Sequence, residues 1–589
     1  MNNGIYQALP ELLKEEPSIV QSLGLHSAEI FVPECAHAVV SASISSSSER
    51  KPLVVVAPTN TEAEKLFNDL KVFIGFEKVE FFPSWETLPF ERISPGVETM
   101  GKRLRVLHRL VTSEETLEVI VTSARALVQK LSVQEETFPI FLKTGDLIDQ
   151  RELLAKLVAF GYKREYQVEH RGEVAIRGSI VDIWPSTSDS PVRVDLWGDE
   201  IERVCEFGVA DQRTKHSLDE VEIFPCRELI LKSEMLGKAT SMVDQQSWGS
   251  SEWERLADGE LFDGMESFMP WLLGEDVVLA DILPKEGLLL LVDRGRLNSR
   301  VSDLLERENK LAESLAKTWS FEGSEFPELH VSFDRSMKFC KAPIWFIDST
   351  RKVTTTSEIK AITWESTKAA GISNIDVSGK INRISELLDK KYIVVVAADG
   401  EGSVSRLEEI FEKEGLPVFV NRQNESSKIS GIHITVGSVE RGFILEGSHF
   451  ALITENELTG RRRTHKHLRD RRKETVRVFE DFSIGDYVVH EHHGIARFAG
   501  LVSQKLGGAE KDYLLLEYKG SDRLYLPTDQ IEVIRPYSSG DVPNLSRMGG
   551  VEWERTKSRV KSAISEIASD LVELYKKRIT SEGRSFAKD

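Results

Sequence analysis

The sequence predicts a multidomain protein that mixes α/β and α+β folds. Three observations carry this. At 589 residues the chain exceeds the roughly 250–300 residues at which single hydrophobic cores stop growing. Its first part alternates continuous apolar runs with amphipathic stretches, the rhythm of strands and helices in an α/β lobe. Two later parts switch to period-two alternation broken by Gly and Pro, as antiparallel sheets require.

Composition narrows the class. With 40% hydrophobic and 29% charged residues the chain reads as globular. Its formal net charge of -19 argues against coating nucleic acid along the whole surface, although local basic regions could still bind it. No run approaches the roughly 20 apolar residues of a membrane helix. The start, MNNGIYQALPELLKEE, lacks a basic segment followed by an apolar one, so a cytoplasmic chain without a secretory signal or membrane partner is expected. Cys35, Cys205, Cys226 and Cys340 lie too far apart for a zinc knuckle or a disulfide framework, which suits a reducing compartment.

Residues 1–145 open the first lobe. Leu53 to Pro58 reads as a buried strand, followed by a helix over Glu62 to Phe73 with Ala63, Leu66, Leu70 and Phe73 on one face. Leu117 to Val121 is a second strand, with a helix from Ala124. The Ser-rich run Ser41 to Ser48, ahead of both, reads as a surface loop. In such a lobe the loop after the first strand would cradle phosphate. Here it reads APTNTEAEK, with no glycine and no GK[ST], so an ATP site is not expected and no catalytic residue is assigned. In Phe81 to Leu110, aromatic and proline-rich and then helical, Trp85, Pro89 and Phe90 read as packing residues.

Residues 146–220 alternate as an antiparallel sheet domain. Arg177 and Arg193 fall within strands and Trp197 lies close by. A strand Arg is as readily a solvated face, but Arg beside an exposed aromatic also has the composition of a protein-binding hot spot. Residues 221–345 return to α/β signals, and 346–460 form a small α/β domain with Tyr392 to Ala398 as a buried strand and a helix over Ser403 to Glu414. The basic run Arg461 to Lys473 lies in a linker, 461–478. Residues 479–545 carry short apolar runs split by His493-Gly494, Gly507-Gly508 and Gly520-Ser521-Asp522, the pattern of a small β-barrel. FAGLVSQK, with Leu501, Val502, Ser503 and Gln504, can lie at its open edge and offer backbone groups to a partner strand. His490-Glu491-His492-His493 alternates along a strand instead of sharing a helix face, so no metal is expected. A long apolar-striped helix spans residues 550–580.

Several of these strings carry a resemblance. GDYVVHEHHGIARFAGL, KDYLLLEY and RLYLPTDQIEVI resemble the RNA polymerase interaction module shared by CarD-type regulators and transcription-repair coupling factors. FFPSWETLPFERISPGVETMGKRLRVLHRL and GMESFMPWL resemble the UvrB-like module of those factors. GYKREYQVEHRGEVAIRGSIVDIWP and PVRVDLWGDEIERVCEFGVADQRT resemble their UvrA-recruiting domain. The resemblance implies a degenerate RecA-like lobe with an inserted sheet domain, a Tudor-like barrel, and a final helix leading toward an ATP-driven DNA translocase. That motor is not in this sequence, so the chain is expected to be the N-terminal half of such a protein, with ATP and magnesium needed only by the motor. It also implies that Arg177, Arg193 and Trp197 face UvrA. Leu501 to Gln504, and Tyr525 in LYLP, would face the RNA polymerase β subunit. DNA would be engaged mainly through the motor.

The implied function is coupling transcription to nucleotide excision repair. Two rival readings stand beside it. A UvrB-type excision-repair ATPase would need the phosphate loop and DNA-clamping hairpin that are missing, with only Pro95 to Lys102 where the hairpin would stand. A CarD-type regulator would bind RNA polymerase without engaging UvrA.

Overall fold

The computed structural model describes residues 4–85, 87, 93–112, 117–132, 137–209, 212–245, 249–318, 327–350, 357–364, 377–420, 430–437, 439–459, 485–490, 494–506, 509–520, 522–527, 534–536 and 545. Two compact units divide the chain, Met1–Lys466 and His467–Asp589. The basic linker 461–478 and the helix expected over 550–580 lie outside the described residues.

The first unit is built on three sheets of six or seven strands. Its seven-stranded sheet runs in spatial order Ser357–Glu358, Ser27–Phe31, Ile344–Asp348, Leu288–Val292, Leu53–Ala57, Val119–Ser123, Val79–Phe82. Every pairing in it is parallel. Leu53–Ala57 is buried at every position, which is why its sequence is continuously apolar instead of alternating. Its side chains divide between two cores: Leu53, Val55 and Ala57 join one with Leu70 and Phe73 of the helix Asn60–Ile74. Val54 and Val56 join the other with Val106, Leu107 and Leu110 of the helix Val97–Thr112. The sheet also extends past residue 345, because Ser357–Glu358 pairs with Ser27–Phe31. A two-residue strand carries no periodicity to read in advance.

The Ser-rich run is not a surface loop. It lies in the helix His37–Ser47, where Ser41, Ser43 and Ser45 are buried among Ala38, Val39, Val40, Ala42 and Ile44. Small side chains allow this helix to sit close to its neighbours Gly4–Leu12 and Asn60–Ile74. Serine was misread because its hydroxyl favours turns in solvent, whereas inside a helix it can bond the preceding turn, as Ser46 does to Ser43 O at 3.1 Å.

The second sheet has six strands in the order Thr214–Leu218, Glu200–Phe207, Val192–Trp197, Ile180–Ile183, Glu173–Arg177, Lys163–Arg164. All its pairings are antiparallel except the last. One face packs Val174, Val181, Ile183, Val192, Val194 and Leu196 beneath Leu153 and Leu157 of the helix Gln150–Ala159. Buried charges fasten this domain to the lobe. Arg103, wholly buried, donates from Nε to Glu228 Oε1 at 2.5 Å and from Nη1 to Pro83 O at 2.8 Å. Trp85 Nε1 donates to the same Glu228 oxygen at 2.9 Å. Removing one partner of so buried a pair would cost several kcal/mol, roughly 3–5.

The third sheet has the order Ala361–Thr363, Phe443–Leu445, Phe450–Thr454, Ile393–Ala398, Gly431–Val436, Val418–Val420. One face packs on the helices Val377–Asp389 and Glu401–Lys413 through Ile381, Ile384, Leu407 and Phe411. Its other face, with Val395, Ala397, Phe450 and Leu452, belongs to the same core as Tyr6, Leu9 and Leu13 at the chain's start.

The second unit is a five-stranded antiparallel sheet, Arg523–Pro527, Ala509–Glu517, Gly494–Leu506, Tyr487–His490, Ile534–Pro536. Val488, Ala496, Phe498, Leu514, Leu516, Leu526 and Ile534 form its core. Among the described residues its two outer strands do not pair with each other.

Candidate functional site

Three places in the chain were singled out from sequence: the crevice after Leu53–Ala57, the outer face of the second sheet, and the edge of Gly494–Leu506.

Around the loop after Leu53–Ala57, several polar groups are bonded within the chain. Thr59 caps the helix Asn60–Ile74, its Oγ1 accepting from Glu62 N at 3.2 Å. Glu62 Oε1 in turn takes Arg296 Nη2 at 2.5 Å. On the neighbouring strand ends, Asp348 Oδ1 accepts from Arg294 N at 2.8 Å, at the start of the helix Arg294–Thr318. Asp293 accepts Ser349 N at 2.6 Å and Ser349 Oγ at 3.1 Å. Amide donors that an anion could use at these two helix N-termini are thus taken up by the chain itself, Glu62 N by the Thr59 hydroxyl and Arg294 N by the Asp348 carboxylate.

On the second sheet, the face away from the core carries the candidate residues. Two-residue turns at Gly178-Ser179 and Gly198-Asp199, with φ of 64° and 63° at the glycines, close hairpins at the same end of the sheet. That topology brings Arg177 and Trp197, each the last residue of its strand, to one end. Trp197 is 78% exposed. Arg177 donates from Nη2 to Asp182 Oδ2 at 2.5 Å, its side chain 36% exposed. Arg193 is more enclosed, at 12%. Its Nε and Nη2 fork onto Asp182 at 2.7 and 2.9 Å, its Nη1 donates to Gln212 O at 3.2 Å, and its guanidinium lies 4.7 Å from the Phe207 ring centre. The bonds to Asp182 hold the Arg193 guanidinium above its ordinary pKa. Asp182 itself is fully buried. Nothing in its sequence context marked it; it becomes visible only once the register sets it opposite Arg193.

In the second unit, Gly494–Leu506 pairs along its length with Ala509–Glu517, with Leu501 opposite Leu514 and Gln504 opposite Lys511. On its other side Tyr487–His490 covers only residues 494 to 497, and backbone bonds from Phe498 N to Asp486 O and from Gly485 N to Phe498 O close that contact. Beyond Phe498, no strand pairs with that side among the described residues. A register shift between Phe498 and Gly500 marks a bulge, with Gly500 at φ 120°. Val502 and Tyr525 are half-buried; for Leu501, Ser503 and Gln504 only the backbone course is described. His490 is buried on its strand, while Glu491, His492 and His493 lie outside the described residues. Among the described residues no cluster of His, Cys, Asp and Glu is arranged to hold a metal ion.

Three family models match the chain. They are the UvrB interaction domain over residues 140–229, the MFD D3 domain over 389–458, and the CarD-like/TRCF RID domain over 482–538. The chain is 32% identical to the transcription-repair-coupling factor of Mycobacterium tuberculosis (strain CDC 1551 / Oshkosh) over 606 aligned residues, covering 95% of this chain and 48% of that protein. The chain is similar over most of its length to transcription-repair-coupling factors. The coupling factor of Bacillus subtilis (strain 168) is 27% identical, covering 92% of the chain and 48% of the relative. That of Staphylococcus aureus (strain MRSA252) is 25% identical, covering 91% and 47%. The chain therefore spans about half the length of the curated coupling factors it matches. No described helix is long and apolar enough to cross a membrane.

Proposed function

We propose that this chain works in transcription-coupled nucleotide excision repair in the cytoplasm, as the part of a coupling factor that joins stalled RNA polymerase to the damage-recognition machinery. The observation that carries the reading is the presence in one chain of a UvrB interaction domain and a CarD-like/TRCF RID domain, within a similarity running over 95% of its residues. In this reading the second unit closes into a small Tudor-like barrel and binds the polymerase β subunit by strand addition along Leu501, Val502, Ser503 and Gln504, with Tyr525 as a second contact. An edge with unpaired backbone N–H and C=O groups is what such addition needs. The outer face of the second sheet, with Arg177, Arg193 and Trp197, recruits UvrA. The seven-stranded sheet is a degenerate RecA-like lobe, and ATP, magnesium and DNA belong mainly to the translocase of the whole coupling factor.

The test is a bridging experiment. The full chain is mixed with purified UvrA and the isolated β-subunit lobe, and the complexes are sized. A ternary complex is expected, and Gln504→Glu should change affinity for the lobe while leaving UvrA binding intact. Binding of the lobe without UvrA would point instead to a CarD-type regulator. If Gln504→Glu and Gln504→Arg both bind the lobe like the parent, strand addition is assigned to the wrong edge.

A further inference from the structure

Arg177, Arg193 and Trp197 do not stand equally in solvent. Trp197 is 78% exposed. The Arg177 side chain is 36% exposed and that of Arg193 only 12%, while Asp182 between them has no exposed surface. Both arginines spend their hydrogen bonds on that one carboxylate: Arg177 through Nη2 at 2.5 Å, Arg193 through Nε and Nη2 at 2.7 and 2.9 Å. Arg193 is further fixed by Gln212 O at 3.2 Å and by the Phe207 ring below it. The arrangement is a stack. Phe207 and Gln212 hold Arg193, Arg193 holds Asp182, and Asp182 holds Arg177 at the rim, at the end of the sheet where Trp197 projects.

We propose that Asp182 is a positioning residue for the UvrA-binding face: anchored by the enclosed Arg193, it fixes the guanidinium of Arg177 for a carboxylate of the partner. This rests on the assignment of that face to UvrA. Two guanidiniums on one buried carboxylate leave one positive charge in excess, and a long Arg side chain held in place loses less rotamer freedom when it binds. A planar fork already oriented is suited to bidentate capture of a carboxylate. Arg193 is then a support and Arg177 the group that meets the partner. A second apolar side chain completes the rim: Leu147 is 79% exposed and bridges by its backbone to Glu200, beside the turn that follows Trp197.

The sign of one substitution separates positioning from plain charge. Asp182→Asn removes a negative charge, so electrostatic attraction alone would tighten binding to an acidic partner. Positioning predicts the reverse, because Arg177 is released. The experiment measures association and dissociation of purified UvrA on the full chain at two salt concentrations, with thermal melts of each variant. Asp182→Asn should raise the dissociation rate about tenfold without slowing association. Arg177→Ala should lose a similar factor, and adding Asp182→Asn to Arg177→Ala should lose nothing more, since the two act as one unit. Asp182→Glu, which keeps the charge one methylene further out, should bind better than Asp182→Asn. The inference is overturned if Asp182→Asn binds UvrA as tightly as the parent or more tightly. It is also overturned if its effect adds in full to that of Arg177→Ala, or if both Asp182 variants melt as unfolded chains. If instead Arg177→Ala and Trp197→Ala leave UvrA binding unchanged, the assignment of this face to UvrA falls, and the role of Asp182 falls with it.

Discussion

His37 is one of the residues at which a single proton bears on the first unit. It is buried beside the strand ends, its Nε2 3.0 Å from Val32 O and 3.2 Å from Ser349 Oγ. Burial pushes its pKa below the ordinary 6.5, although Asp293, Glu34, Glu62 and the Val32 carbonyl all favour the charged form. Because the folded pKa is depressed, the stability tied to a neutral His37 is present above about 6.5 and is lost as pH falls toward the folded value, since the unfolded chain takes up the proton first. Unfolding by denaturant at pH 8, 6.5 and 5.5 should therefore show a loss below 6.5. This one group can contribute at most about 1.4 kcal/mol per pH unit. The slope should flatten in His37→Gln, whose amide can still donate to Val32 O; an unchanged slope would remove His37 from the acid response. Residues of this kind were only partly legible. Arg177, Arg193 and Trp197 stood out because charged and aromatic side chains on strands are conspicuous. Asp182 and Asp293 did not, because a buried aspartate is recognised by what surrounds it, and their surroundings come from segments distant in sequence.

At the scale of single elements, the parallel strands were readable wherever burial on both faces made them continuously apolar, as at Leu53–Ala57 and Ile393–Ala398. The helix His37–Ser47 was not, since serine signals a turn locally and only tertiary packing overrides that signal. The strand Gly494–Leu506 was foreseen between the His493-Gly494 turn and Gly507-Gly508, and it runs on for 13 residues because the bulge at Phe498/Gly500 bends the ladder without ending it. Helix N-termini decide what the seven-stranded sheet can bind. With Thr59 Oγ1 accepting from Glu62 N at one helix start and Asp348 from Arg294 N at another, a phosphate would have to displace groups already bonded. The expected outcome is that a fluorescent ATP analogue titrated into the full chain with magnesium shows no saturation at micromolar concentration. Micromolar binding that a change at Thr59 abolishes would place a working nucleotide site in the crevice after all.

At the scale of the first unit, the third sheet is covered on both sides: by its own helices on one face, and by the N-terminal helix Gly4–Leu12 and the first lobe's core on the other. Tyr6 is central to the second contact, wholly buried, with its hydroxyl 3.5 Å from Thr435 O. A Cβ placed on Gly437 would collide with the Tyr6 ring at Cε2. Gly437→Ala is therefore expected to cost about 1–3 kcal/mol by overpacking. Most of that loss should disappear in combination with Tyr6→Ala, which makes room; equal losses in the two backgrounds would show that Tyr6 and Gly437 do not meet as described. The sequence showed a separate α/β domain over 346–460 because its strands and helices alternate, but strands buried on both faces do not announce which neighbour covers them. The family model for that region begins at residue 389, far from Tyr6. A recombination event that carried residues 389–458 alone into another gene would leave Val395, Ala397, Phe450 and Leu452 facing water. That face of the domain is thus completed by a helix encoded nearly four hundred codons upstream, together with the first lobe.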